Sequence, residues 1–261
     1  MSSEPETQFT LKNWERPYFT QAGHDNLLYF IVYGEIQGDF NISGEKYRVL
    51  YMPQELQLQS FRIPEGIETV NQFRSGLFAK MLEDQHPELV QTVNQQEHCY
   101  IVQAIIPDKA LLNDFRVIIG IVAYLLDSGC VAAFDPLAHK WWTPQEWHNK
   151  AFAPEEIDPY SHVNIHVSSE QNDTQWVHSH GMRKFGRPDL SIHHVTDEEI
   201  EPVLDMVNRF IGFMAAGGTI KEGQEIRMAS LPEGMTCSHK GSFDNPDFNN
   251  VHVEISWPPL D

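Results

Sequence analysis

The chain has 261 residues, 41% of them hydrophobic, and its 37 Asp and Glu against 18 Lys and Arg leave a formal charge of −19 with His neutral. That is enough chain to bury one large core or two small ones. A surface of this sign repels nucleic-acid phosphate and anionic lipid, which argues against general nucleic-acid binding and against a membrane-surface role.

The opening MSSEPETQFT has neither the basic start nor the apolar segment of a secretion signal, and the longest uncharged apolar run, Val117 to Leu126, is too short for a bilayer. Cys99, Cys130 and Cys237 form no CxxC and sit among core-like neighbours. The expectation is free thiols in a reducing cytoplasm.

Residues 1–13 read as a polar, flexible arm and 14–261 as a single α+β domain; the alternative is two subdomains, 14–110 and 111–261. LLYFIVYG, from Leu27, predicts a buried strand, with a second around Tyr47 to Tyr51. Val70, Phe73, Leu77, Phe78 and Met81 have helical spacing within Glu68 to Gln85, and HCYIVQAII then predicts a strand. Asp108 after Pro107 opens a helix that is apolar on nearly every face to Ser128, where Gly129 stops it, and Cys130 to Phe134 returns as a strand.

Thr143-Pro144-Gln145-Glu146 is a capping box for a short helix carrying Trp147, and Trp141, Trp142 and Trp147 read as packing residues. From His162 the pattern alternates, with Val163, Ile165 and Val167 on one face of a strand and His162, Asn164 and His166 on the other. Trp176 to His180 and Leu190 to Val195 are further strands. Thr196 and Glu199 can box a second long helix, although Pro202 favours a start near Glu201 or a kink; it ends at Gly217-Gly218. Gln224 to Ala229 and Val251 to Trp257 complete the strands.

The order predicts an α+β fold, with mixed or antiparallel sheets packed against two long apolar helices. "Long helix, glycine, strand" occurs twice, around Gly129 and Gly217, so two similar halves are an alternative.

VIIGIVAYLLDSGCVAAFDPLAHKWWTPQEW, WVHSHGMRKFGRPDLSI and MAAGGTIKEGQEI together resemble a bacterial family catalogued only as a domain of unknown function. The likeness covers about residues 115–227, and its signature is T-G-L or H-T-H-G-L, a spacer, then F-G-L-P-E-L-E. Gly181, Met182, Phe185, Gly186, Pro188, Asp189 and Leu190 fall on it, with Met182 and Arg187 where the family has Leu and Asp189 where it has Glu. The resemblance implies a shared fold and a cytoplasmic location and carries no activity.

The stretch from Trp176 to His194 holds four of the 13 histidines and three bases, Arg183, Lys184 and Arg187. On a strand His178 and His180 share a face and can take two positions around Zn²⁺, with His193 as third ligand or His162, His166 or Asp189 in its place. Arg183, Lys184 and Arg187 can present guanidinium forks and an ammonium to a carboxylate or phosphate, or pair with the chain's own carboxylates. The same motif also reads as a structural corner, with Gly181 and Gly186 supplying turns and Phe185 plugging the core. No HExxH, GxSxG or nucleotide loop is present.

Two functions follow. The preferred one is a non-catalytic interaction protein of adaptor or immunity type, without cofactor, whose acidic surface meets a basic protein partner. The alternative is a metal-dependent hydrolase using His178 and His180, with Arg183 or Arg187 holding an anionic substrate. They divide on whether the histidines converge.

Overall fold

A computed structural model describes residues 10–21 and 23–256. The first nine residues of the expected arm, and Trp257 with Pro258-Pro259, lie outside the described residues.

β1 (Asn26–Tyr33) is apolar along its length because both faces are covered. The expected strand at Tyr47 to Tyr51 is a turn-rich loop instead, with Tyr47 and Val49 buried. β2 (Leu56–Arg62) follows, a strand absent from the sequence expectation.

The predicted helix over Glu68 to Gln85 is two, α1 (Ile67–Gln72) and α2 (Gly76–Gln85). At the break, Arg74 donates to the carbonyls of Val93, Asn94 and Gln96 at the end of α3 (Val90–Asn94), a cation serving the carbonyls where that helix ends. β3 (His98–Ile106) lies where HCYIVQAII predicts it.

α4 (Asn113–Asp127) is buried from Phe115 to Leu126 and starts five residues after Asp108, which is drawn into an ion-pair knot instead. Gly120 is required here, because a Cβ would meet the Tyr47 carbonyl of the overlying loop.

β4 (Ala132–Asp135) and β5 (Lys140–Trp142) form a hairpin. The Thr143 capping box then starts α5 (Pro144–Glu146), which runs into a wider turn over Trp147–Phe152. Trp141, Trp142 and Trp147 are fully buried. The first sheet has the order β2-β3-β1-β4-β5 and is antiparallel throughout. A chain boundary at 110–111 would cut through it, because β4 pairs with β1.

α6 (Pro159–His162) takes up His162, which the alternation had placed on a strand; β6 (Asn164–Ser169) begins two residues later. β7 (Gln175–His180) and β8 (Asp189–Val195) follow as expected. The Thr196/Glu199 box caps a 3-10 turn at Asp197–Glu199, and α7 (Ile200–Ala215) continues it with Pro202 inside its first turn. β9 (Glu225–Ile226), β10 (Met235–Gly241) and β11 (Val251–Ser256) complete the second sheet, ordered β6-β7-β8-β11-β10-β9. Its pairs are antiparallel except β8 with β11.

The fold is therefore α+β, with one antiparallel and one mixed sheet. The expected pair of long apolar helices is corrected: the chain has seven α-helices among the described residues, and only the run from Asp197 through α7 reaches 19 residues. That run is amphipathic, exposing Glu201, Asp205 and Arg209 while burying Val203, Met206, Val207, Ile211 and Met214, the three-and-four spacing of one apolar face. The two halves also differ in strand order and in the presence of a parallel pair.

Alternation in β1 divides the packing. Phe30 and Val32 join a core continuous with α4, α7 and the second sheet, whereas Ile31 and Tyr33 face a smaller core under α1 and α2. No helix among the described residues is long and apolar enough to cross a membrane.

Candidate metal centre

β6 and β7 pair in a register that sets His166 opposite His178 and Asn164 opposite His180. Residues opposite each other, or two apart on one strand, share a face, so His166, His178 and His180 gather on one side while Val177 and Ser179 turn into the interior. A fourth ring arrives from the other sheet. His139, in the β4–β5 hairpin turn, stands with its ring centroid 4.3 Å from that of His180 and 5.7 Å from that of His166.

The donor nitrogens of His139, His166 and His180 lie within 4.8 Å of one another. A tetrahedral Zn²⁺ with bonds of about 2.0–2.1 Å holds its nitrogens about 3.3 Å apart, so modest ring rotations close the site. His166 Nε2 is buried and has no hydrogen-bond partner among the described residues, a polar atom whose satisfaction an ion would provide.

The imidazoles are held neutral. Burial, followed by the neighbouring rings, brings His178 down to about 4 and His180 to about 2. Burial, His166 and Lys184 bring His139 down to about 4, and burial lowers His166. A neutral ring keeps the lone pair that metal ligation needs.

The hairpin is pinned from several sides. Asp135 Oδ1 accepts from the backbone N–H of Leu137 and Ala138, at 3.1 Å each, and its other oxygen takes the buried Lys184 ammonium. Asn164 Nδ2 donates to the Ala138 carbonyl at 2.7 Å, and Gln85 Nε2 to that of His139 at 2.9 Å. His139 itself sits at φ 52°, the left-handed region. At Gly181, φ is 118° and a Cβ would run into the His162 carbonyl, so glycine lets the end of β7 pass α6 and the hairpin.

Of the expected ligands, His180 belongs to the convergent group. His178 lies beside it but is stacked between Trp176, at 3.7 Å between centroids, and His166. His193 does not join: its Nδ1 bonds Glu170 at 2.6 Å and its ring stacks on Trp176. His162 is buried against Phe115 and Trp142, and Asp189 accepts from Ser179, Met182 N–H and Asn250. His139 carried no sequence signal, since a lone histidine in PLAHKWW acquires its role only when the two sheets meet.

The expected anion site is not formed by its three bases together. Lys184 is fully buried against Asp135. Arg187 is 1% exposed and pairs with Asp108 at 2.9 Å, with its remaining donors on the carbonyls of Gly186, Gly217, Gly218 and Thr20. Arg16 takes the second Asp108 oxygen at 2.6 Å. Neighbouring chain segments consume both bases, and neither reaches solvent. Arg183 alone stays partly open, over the Phe243 ring and donating to the Asn249 carbonyl.

No protein-family model, curated protein or solved structure matches the chain. The site is therefore read from its own geometry.

Proposed function

We propose that this chain is a metal-binding protein whose resident ion is a divalent cation of the zinc class, held by His139, His166 and His180. The observation that carries the reading is the convergence of three neutral imidazole nitrogens within 4.8 Å, from two different sheets. Imidazole donors suit zinc, copper and nickel and do not suit magnesium or calcium. Three protein ligands leave a coordination position open, and the His178 ring centroid lies 5.5 Å from that of His166 and 5.1 Å from that of His180.

The ion would tie the β4–β5 hairpin of one sheet to β6 and β7 of the other, and binding would add to stability. A binding role is favoured over hydrolysis because, of the two bases a hydrolase would use to hold an anionic substrate, Arg187 is engaged by Asp108 and Arg183 lies over Phe243 and donates to the Asn249 carbonyl. The charge of −19 supports a basic protein as partner, and three free, buried cysteines support a cytoplasmic location.

The test is metal content by mass spectrometry on untagged protein purified without chelator, alongside zinc titration of the stripped protein. One equivalent is expected in wild type and in His193→Ala, with loss in His139→Ala, His166→Ala and His180→Ala. Metal-free wild type that takes up no zinc on titration refutes the proposal.

A further inference from the structure

A second feature lies on another part of the surface, in a cleft of about 530 Å³ lined by Lys12, Glu45, Arg48, Arg116 and Glu155, with Thr10 and Leu11. Arg48 and Arg116 both line it, and burial lowers the ionisation of Arg116. In a chain with twice as many acids as bases, most buried bases find a carboxylate. Arg116, which is buried, and Arg48, which is half-buried, do not: among the described residues neither forms an ion pair.

Arg48 spends its terminal nitrogens on the carbonyls of Phe152, Pro154 and Ala153, at 2.6, 2.9 and 3.3 Å, and stacks on Phe152. Arg116 donates to the Lys12 carbonyl and lies over Trp14. Arg116 is only 7% exposed, and its Nε has no partner among the described residues. A buried guanidinium with an idle donor and no ion-paired carboxylate among the described residues is costly unless an anion completes it.

We propose that this cleft binds the phosphoryl group of a small phosphate monoester, with Arg116 and Arg48 as its guanidinium clamp; Lys12 at the rim is held by Glu156. A phosphate dianion matches the fork geometry of two guanidiniums, and the cleft volume leaves room for the organic portion of such a ligand. Glu45 and Glu155 line the same cleft and oppose the anion, which limits affinity and supplies a test independent of the clamp.

The experiment is calorimetric titration of the full chain with glycerol 3-phosphate and with inorganic phosphate at constant ionic strength. It uses His180→Ala protein kept in chelator, so that phosphate on a histidine-bound metal cannot contribute and failure of the metal reading does not bear on the result. Expected is saturable binding that weakens at least about tenfold in Arg116→Gln and tightens severalfold in Glu155→Gln and Glu45→Gln. The glutamate variants alter only the rim and keep the test decisive if Arg116→Gln does not fold. Binding only of inorganic phosphate would overturn the monoester assignment. No binding at about 10 mM, or affinity indifferent to all three substitutions, overturns the site.

Discussion

Asp108 receives Arg16 and Arg187 in a space closed to water, and the three side chains tie the amino-terminal segment, the Gly186 turn and the end of α7 together. Removing the shared carboxylate leaves two buried cations facing each other. Asp108→Asn is therefore expected to cost about 3–5 kcal/mol in urea denaturation, and a loss below about 1 kcal/mol would show that the knot carries little stability.

His162 makes a pH-dependent counterpart. Burial first, then Lys184 and Lys140, hold its folded ionisation well below 6.5, so the unfolded chain binds the proton more readily. Stability then rises with pH up to about 6.5 and is lost on acidification, by at most about 1.4 kcal/mol per pH unit for this one group. Denaturation midpoints between pH 7 and 5 should fall in wild type and fall less steeply in His162→Leu; equal slopes would remove His162 from the account. At this scale the sequence exposed residue types but not their partners. Arg187 and Lys184 look like a solvated basic turn because Asp108 and Asp135 lie 79 and 49 residues away along the chain.

Strand alternation was legible among the elements, and so was the shared face of His178 and His180, because side-chain direction along a strand depends only on local geometry. The register was not. His166 stands opposite His178 because the β6–β7 hairpin closes where it does, and His193 is drawn to Glu170 near a register shift in the β7–β8 pairing.

The β4–β5 hairpin is the element on which the candidate site depends. Asp135→Asn keeps every histidine but weakens the contact to Lys184, and is expected to lower zinc affinity at least about tenfold while the protein stays folded. Unchanged zinc titration would mean that the hairpin does not depend on that pair. Gly181→Ala should cost about 1–3 kcal/mol and impair zinc uptake, since both its φ and the His162 carbonyl exclude a Cβ. Chemical denaturation and zinc titration of the same preparation check both effects.

For the molecule as a whole, the proposed ion bridges two sheets that already share a core. Binding to the folded state alone stabilises by about 2.7 kcal/mol at a free concentration of about 100 Kd, which for a chain of this size is a rise in melting temperature of roughly 5–10 °C. Chelation should reverse it, and His139→Ala, which removes only the ligand from the first sheet, should abolish it. A melting temperature indifferent to zinc would count against the bridge.

The sequence by itself determined the α+β class, the apolar burial of α4, the capping boxes at Thr143 and Thr196 and the histidine-bearing face of β7. Each of these is encoded in periodicity, or in neighbours three or four residues apart. Only the tertiary structure decided which histidines meet, that Lys184 and Arg187 are buried while Arg48 and Arg116 form no ion pair among the described residues, and that His139 completes the cluster. Those outcomes depend on contacts between segments remote along the chain, whose distances follow from sheet register and packing rather than from local pattern.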